Sequence, residues 1–189
     1  MKLITDVMVE PVTVAEVEAF LRKSTGVEST LHTMWIAAAR TYGEDYTKHA
    51  LAPQTWDMYL DAFPDDDYIA WPKAPLTSVT GIYYTDYEGT VTTMTVNTDY
   101  KVDTDTFPGK IYLPYNTEWP TATLQPYNGI RIRAVCGYTG TAPYILPKQY
   151  KQALLMHIGA MDRYRDEVIP EDIMTAIHRL YAIRRVPNL

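Results

Sequence analysis

The sequence predicts an α+β fold in which a helix pair near each end of the chain forms one four-helix bundle, with an antiparallel β-rich insertion between the pairs. In the outer parts of the chain, apolar residues recur every three or four positions, as on one face of a helix. In the middle part the period changes to two, and Gly, Asp and Pro clusters separate the runs. The predicted parts are residues 1–52 (helical), 53–143 (β-rich) and 144–189 (helical, in one bundle with 1–52).

The first helix is predicted from a capping box, because Thr13 is followed three residues later by Glu16. Val12 and Val17 can form the hydrophobic staple around it. Gly26 is expected to end the element.

The second helix is predicted to begin near Ser29, and Pro53 forbids its continuation. Together with the first helix and the short loop before it, this segment reads as an αα-hairpin. Its apolar stripe is expected to contain Leu31, Met34, Trp35, Ala38, Tyr42 and Tyr46.

The β-rich part contains short runs of Thr, Tyr, Val and Ile, and "GIRIRAV" is the clearest of them. In that run Ile130, Ile132 and Ala134 face one way and the two arginines between them face the other, which is typical of a half-buried antiparallel strand. The stretch "TDYEGT" predicts a hairpin loop. Pro72 and Pro75 are tolerated at a strand start or edge, and we expect them to position the strand at residues 78–85.

The last two helices are predicted to start at Pro147 and Pro170. The first of them has a stripe of Tyr150, Leu154, His157, Ile158 and Met161, and the second a stripe of Ile173, Ile177 and Leu180. The last helix carries Glu171 and Asp172 in its first turn and Arg179, Arg184 and Arg185 towards its end, a distribution that suits the helix dipole.

Composition excludes several classes of function. The formal net charge of −6 argues against a protein that coats nucleic acid, which needs a basic face. A single cysteine, Cys136, rules out an intramolecular disulfide and a multi-cysteine metal site. No apolar run approaches the roughly 18 residues of a membrane-spanning helix, and the stretch "MKLITDVMVEP" lacks the features of a signal peptide. The 16 tyrosines fit either a Tyr-rich sheet surface or an assembly surface.

The residues that could do chemistry do not form a catalytic or metal-binding pattern. Asp65, Asp66 and Asp67 are adjacent, so their carboxylates point apart, and a solvated acidic turn is favoured over a cation site. His157 is expected to be buried and hydrogen-bonded, and Cys136 to be a small core residue. No nucleophile elbow, phosphate-binding loop or dinucleotide fingerprint is present. We therefore predict no enzymatic activity and no cofactor or metal.

The arginines near the end of this acidic chain have two interpretations. Arg179, Arg184 and Arg185, with Arg163 and Arg165 upstream, can compensate the helix dipole and aid solubility. They can also dock on an acidic partner or contact phosphates.

Several stretches, in their order and spacing, resemble the head–tail connector (adaptor, or head-completion) proteins of long-tailed bacteriophages and gene-transfer particles. The resemblance runs from Val9 to about Glu167, and each stretch is a structural signature rather than a strong motif. The stretches are "VEPVTVAEVEAFLR", "AAARTYGEDYT", "LAPQTWDMYLDAFP", "WPKAPLTSVTGIYYTD", "YKVDT" and the later "IRIRAVCGYTG" with "YILPKQYKQALLMHIGAMDRYRDE".

The resemblance implies a non-enzymatic virion protein, assembled in the host cytoplasm and located at the head–tail interface. Such proteins form a ring, typically of twelve copies, beneath the portal protein, and the ring continues the DNA channel towards a tail-side completion protein. Arg179, Arg184 and Arg185 become candidate portal or DNA contacts. A ring would multiply the charge of −6 per chain, and the resulting negative potential would discourage passing DNA from sticking without sequence-specific binding.

The β-rich insertion is expected to contact neighbouring copies or the next tail component through Asp86, Tyr87 and Glu88 in its hairpin loop. Two other functions stay open. One is a tail-completion or baseplate component, which would follow sixfold or threefold rather than twelvefold symmetry. The other is an uncharacterised hydrolase, which would need a convergent pocket with perturbed ionisable groups.

Overall fold

The computed structural model describes residues 1–183 of the chain, and these form four helices and eight strands in two antiparallel sheets. The chain divides into two compact units. Among the described residues, the β unit comprises Met1–Val7 and Pro53–Gly137, and the helical unit comprises Met8–Ala52 and residues 138–183. The first seven residues thus belong with the strands, whereas the sequence analysis assigned them to the helical part.

The helical unit contains α1 (Val14–Leu21), α2 (Ser29–Thr47), α3 (Lys148–Arg163) and α4 (Glu171–Ala182). Side chains from all four helices meet in one buried cluster, and the regular four-helix-bundle geometry stays a prediction. The buried members of the cluster are Val12, Val17, Ile36, Ala39, Leu51, Tyr138, Tyr150, Ala153, Leu154, Ile158, Ala160, Ile177 and Tyr181.

The capping box of α1 is confirmed. Thr13 Oγ1 accepts a hydrogen bond from the Glu16 backbone N–H at 3.2 Å, and Thr13 N donates to Glu16 Oε2 at 3.0 Å. The predicted end at Gly26 is wrong, because Arg22 adopts the left-handed conformation (φ 56°) and stops the helix four residues earlier. Gly26 instead donates its N–H to the buried carboxylate of Glu18 at 2.8 Å.

The predicted apolar stripe of α2 is only partly correct. Trp35 and Tyr46 pack against the buried cluster, but Met34 is 64% exposed and Tyr42 is 37% exposed. The helix is rotated so that a different row faces the core, namely His32, Ile36, Ala39, Gly43 and Thr47. Two charged residues of α2, Arg40 and Glu44, are buried as well and form an ion pair at 3.2 Å. Polar and small residues on the core face hide this stripe from a hydrophobicity pattern.

The β unit contains β1 (Lys2–Thr5), β2 (Gln54–Leu60), β3 (Tyr68–Ala70), β4 (Leu76–Thr85), β5 (Val91–Met94), β6 (Lys101–Asp103), β7 (Lys110–Tyr112) and β8 (Ile130–Cys136). One sheet has the strand order β1-β2-β8-β4-β5, and the other has the order β3-β7-β6. The sequence analysis missed β1, whose four residues are all exposed and therefore show no burial alternation.

The two sheets share one core. Met58, Ile82, Ile130 and Ile132 of the five-stranded sheet pack in one buried cluster with residues of the three-stranded sheet such as Ile111. The predicted alternation along β8 is confirmed, because Ile130, Ile132, Ala134 and Cys136 are buried and the residues between them are half-buried. Pro75 directly precedes β4, which begins at Leu76 rather than at residue 78.

We expect Gly43→Ala to destabilise the protein, although alanine normally favours a helix. A Cβ at this position would lie 2.9 Å from Tyr181 Cε1 and 3.0 Å from Leu51 Cδ1, so the core would be overpacked. The free energy of unfolding in urea should fall by about 1–3 kcal/mol. The double variant Gly43→Ala/Tyr181→Leu should lose less than the sum of its two single changes. A stability gain in Gly43→Ala would contradict this packing.

Candidate interaction surfaces

The predicted hairpin loop connects β4 and β5, and Asp86 holds it together. Its Oδ1 accepts hydrogen bonds from the backbone N–H of Glu88 at 3.0 Å and of Thr90 at 2.8 Å. Gly89 adopts a positive φ of 88° and donates its N–H to the Asp86 carbonyl at 3.0 Å. Asp86 therefore builds the turn, and its role as a contact residue stays a prediction.

Tyr87 and Glu88 are the exposed members of this loop. The Tyr87 side chain is 69% exposed, and its hydroxyl donates to Glu88 Oε1 at 3.0 Å. The backbone beneath it is fixed, because Tyr87 N donates to the Thr123 carbonyl at 3.1 Å. The loop thus presents a tyrosine and a carboxylate from a rigid frame.

The structure describes three of the five arginines singled out in the sequence, namely Arg163, Arg165 and Arg179. Arg179 is exposed in the last turn of α4, and Arg184 and Arg185 lie outside the described residues. Arg163 and Arg165 are at the end of α3, close in sequence to the start of α4, whereas Arg179 is about 12 Å further along that helix. Of the five, Arg179 is the one that the structure describes as an exposed cation on α4.

Arg165 is occupied by intramolecular ion pairs. Its guanidinium donates to both carboxylate oxygens of Glu28 at 2.7 and 2.8 Å and to Asp162 Oδ1 at 2.6 Å. Lys23 binds the same two carboxylates. Hydrogen bonds from Arg165 and then from Lys23 hold the pKa of Glu28 at about 2. This network joins the loop after α1 to the end of α3, so Arg165 has a structural role.

His157 is buried, as predicted, but Nδ1 has no hydrogen-bond partner among the described residues. Its ring contacts Tyr42 edge-on at 4.9 Å between centroids. Burial and, to a smaller extent, the neighbouring His178 lower its pKa to about 4. The ring of His178 stacks on Tyr46 at 4.7 Å, and its Nε2 is 2.5 Å from the Tyr42 hydroxyl. These histidines are parts of an aromatic cluster.

The outer face of the five-stranded sheet is the surface that sequence reasoning missed. Tyr59 of β2, Arg131 of β8 and Tyr83 of β4 are direct cross-strand neighbours, and all three are half-exposed. The Arg131 guanidinium lies 4.4 Å from the centroid of the Tyr83 ring. Together with Arg133, these residues are called the Tyr–Arg face. The alternation of β8 indicated which way its arginines point, but their neighbours depend on strand order.

An ion pair lies within the Tyr–Arg face. Arg133 donates to both oxygens of Asp57 at 2.7 and 2.8 Å, and Asp57 is only 1% exposed. The hydrogen bonds from Arg133 lower the pKa of this carboxyl despite its burial. Arg133 is therefore fixed, whereas the guanidinium of Arg131 stacks on a ring and keeps donors for another group.

Asp65, Asp66 and Asp67 are all exposed in the connection between β2 and β3. Among residues 1–183, no three His, Cys, Asp or Glu side chains are grouped to hold a metal ion. Two open clefts of about 420 and 300 Å³ lie in the β unit and the helical unit. Within the described part of the chain, no helix is both long and apolar enough to span a bilayer.

The fold is similar over its whole length to chains of gene transfer agent (GTA) particles. A chain from the neck of an empty GTA particle computed with C6 symmetry has a TM-score of 0.80 at 20% identity, covering 100% of this chain and 97% of that one. A chain from the virion of a native GTA particle has a TM-score of 0.76 at 21% identity, with 100% and 96% covered. A chain from the neck of a native GTA particle computed with C12 symmetry has a TM-score of 0.73 at 21% identity, with 100% and 98% covered.

No protein-family model matches the sequence. A comparison with curated protein sequences finds no significant match either. At identities of 20 and 21%, the likeness to the GTA chains shows a common fold.

We expect acid to destabilise the protein through His157. Its pKa of about 4 in the folded chain is below the ordinary value of 6.5, so the unfolded chain binds the proton more tightly. The stabilisation from a neutral His157 is complete above pH 6.5 and is lost as the pH falls to 4. The free energy of unfolding should fall by at most about 3 kcal/mol through this group.

Urea unfolding of the wild type and of His157→Phe across this pH range measures the effect. Carboxylates titrate in both proteins, so their contribution cancels in the difference. The wild type should lose more stability than the variant between pH 6.5 and 4. Parallel stability curves would show that His157 is not the responsible group.

Proposed function

We propose that this protein is a structural component of the neck of a phage or phage-like particle. In this role it is a head–tail connector, or adaptor, that forms a ring beneath the portal protein. The observation that carries the proposal is the full-length similarity in fold to GTA chains, two of them from particle necks. The order of the signature stretches along the sequence supports the same assignment.

The distribution of chemistry within the chain supports a non-enzymatic role. The histidines of the described chain pack in the core or against aromatic rings, and Cys136 is buried. The surfaces with distinctive chemistry are instead rigid and rich in tyrosine and arginine, the composition typical of protein–protein interfaces. We assign these surfaces to neighbouring copies, the portal protein and a tail-side completion protein.

The ring would be part of the virion and extend the channel for genomic DNA. One GTA neck with this fold was computed with C12 symmetry, which supports twelve copies. The net charge of −6 per chain favours passage of DNA over sequence-specific binding. Assembly would take place in the host cytoplasm before tail attachment, with no membrane involved.

A tail-completion or baseplate component is the second candidate. The other GTA neck was computed with C6 symmetry, which favours a sixfold tail-side ring as the competing arrangement. The two candidates predict different partners and different copy numbers.

Native mass spectrometry of the full-length protein mixed with the portal protein of its own particle tests the proposal. We expect about twelve copies on each portal ring, because a connector follows the symmetry of the portal. Six copies, or association only with tail proteins, would favour the tail component. No association with either at low and moderate salt would overturn the proposal.

Within this function we expect Tyr87→Ala/Glu88→Ala to impair assembly or tail joining without weakening the fold. Both side chains are exposed, so the free energy of unfolding should change by no more than about 0.5 kcal/mol. Asp86→Ala is the contrasting control, because it removes two hydrogen bonds within the turn and should cost about 1–2 kcal/mol. Normal tail joining by the double variant would exclude the loop as a contact.

Arg179→Glu should weaken binding to the portal ring if this arginine contacts it. Arg163→Glu is the matched control, because it makes the same charge change at the end of α3. Equal affinities of the two variants for the portal, measured by titration at 150 mM salt, would remove Arg179 from the candidate contacts.

A further inference from the structure

The Tyr–Arg face is organised before any partner binds. Gly81 leaves room for the Tyr83 ring to lie along the strand, since a Cβ at that position would be 2.7 Å from the Tyr83 hydroxyl oxygen. Arg133 is held by Asp57, and Arg131 is stacked on Tyr83. Side chains that are already ordered lose little entropy on association, which favours a contact surface.

This face carries a positive group that its own chain does not neutralise by a salt bridge within the described residues. Arg131 lies between two tyrosines, in the middle of a sheet that belongs to an acidic protein. A planar guanidinium that lies over an aromatic ring keeps the N–H donors along its edge free, and these can bind a carboxylate. The chemistry of the face therefore fits an acidic protein surface.

The acidic loop (Asp65, Asp66 and Asp67) has the complementary chemistry. Its backbone is fixed, because Trp119 Nε1 donates to the Asp66 carbonyl and Leu113 N donates to the Asp67 carbonyl, both at 2.9 Å. Trp119 is itself stacked on Phe63 at 5.2 Å. Since backbone oxygens make these bonds, the three exposed carboxylates remain available to a partner.

The acidic loop and the Tyr–Arg face lie on different sides of the β unit but at the same end of the strands. The loop follows Leu60, the last residue of β2, and leads into the three-stranded sheet. Tyr59 and Arg131 are at this same end of β2 and β8, and their side chains point away from the core that the two sheets share. The two surfaces are therefore separate, and each is open to a different neighbour of the same chain.

We propose that the acidic loop of one copy docks on the Tyr–Arg face of the next copy around the ring. The contact joins two different surfaces of the same chain, and such heterologous contacts close into rings when the rotation allows it. The tyrosines supply buried area, and the pairing of Arg131 with the carboxylates sets the register and excludes wrong orientations. This inference rests on the ring function proposed above.

Charge reversal tests the interface in the full-length protein. One variant is Arg131→Glu, and the other is Asp65→Lys/Asp66→Lys/Asp67→Lys. Each is titrated onto the purified portal protein of the same particle, and ring completion is followed by native mass spectrometry. Each reversal puts like charges opposite each other, so the concentration for half-complete rings should rise at least about tenfold.

Combining the two reversals should restore the ring in two ways. A single chain that carries both has opposite charges at the interface again and should assemble near the wild-type concentration. An equimolar mixture of the two variants should form rings in which they alternate, because each variant is complementary only to the other. Recovery in the mixture would also show that both variants are folded.

Two controls separate this contact from a general effect of charge. Arg131→Lys keeps the positive charge and should assemble within a few-fold of the wild type. Asp45→Lys reverses an exposed carboxylate on α2 and should not change assembly. Raising the salt concentration should weaken the wild-type ring and the Asp45→Lys ring to the same extent, because both keep the paired charges of the interface.

The outcomes distinguish the two proposals. A wild-type ring that neither reversal affects would overturn the interface and leave the neck function standing. The interface would also be overturned if both single reversals impaired the ring but neither the doubly reversed chain nor the mixture restored it. Charge complementarity would then not be the cause of the impairment. A wild-type chain that forms no ring on its portal would overturn both.

Discussion

The structure depends above all on the register between β2 and β8. Seven consecutive pairs join these strands, from Gln54 opposite Cys136 to Leu60 opposite Ile130. The first residue of β2 therefore lies beside the last residue of β8. The chain therefore enters β2 and leaves β8 at neighbouring positions. For this reason the helices that precede and follow these strands in the sequence can belong to one helical unit.

The same register decides what each side of the five-stranded sheet carries. Because side chains alternate along a strand, a slip of one residue would exchange the two faces. In the observed register Met58, Ile132 and Ile82 meet in the core. On the outer side Asp57 lies opposite Arg133, and this bidentate pair compensates the burial of the carboxylate. The same strand pairs thus determine both the buried core side and the polar outer side of the sheet.

Several exposed groups of this protein are held on rigid frames. Asp86 fixes the hairpin that presents Tyr87, and Trp119 fixes the loop that presents three aspartates. In the helical unit, Glu28 and Asp162 hold Lys23 and Arg165 in a network instead of leaving them as free cations. Surfaces that are already ordered lose little entropy on association, which suits the contacts proposed above.

The sequence by itself determined the α+β composition, the capping box at Thr13, the alternation of β8 and the position of the β4–β5 hairpin, because these depend on residues close together in the chain. It could not show the true core stripe of α2, where the absence of a side chain at Gly43 matters only because Tyr181 packs against it. Nor could it show β1, or that Tyr59, Arg131 and Tyr83 are neighbours. Only the tertiary structure decided these features, because strand order and helix rotation are set by contacts between residues far apart in sequence.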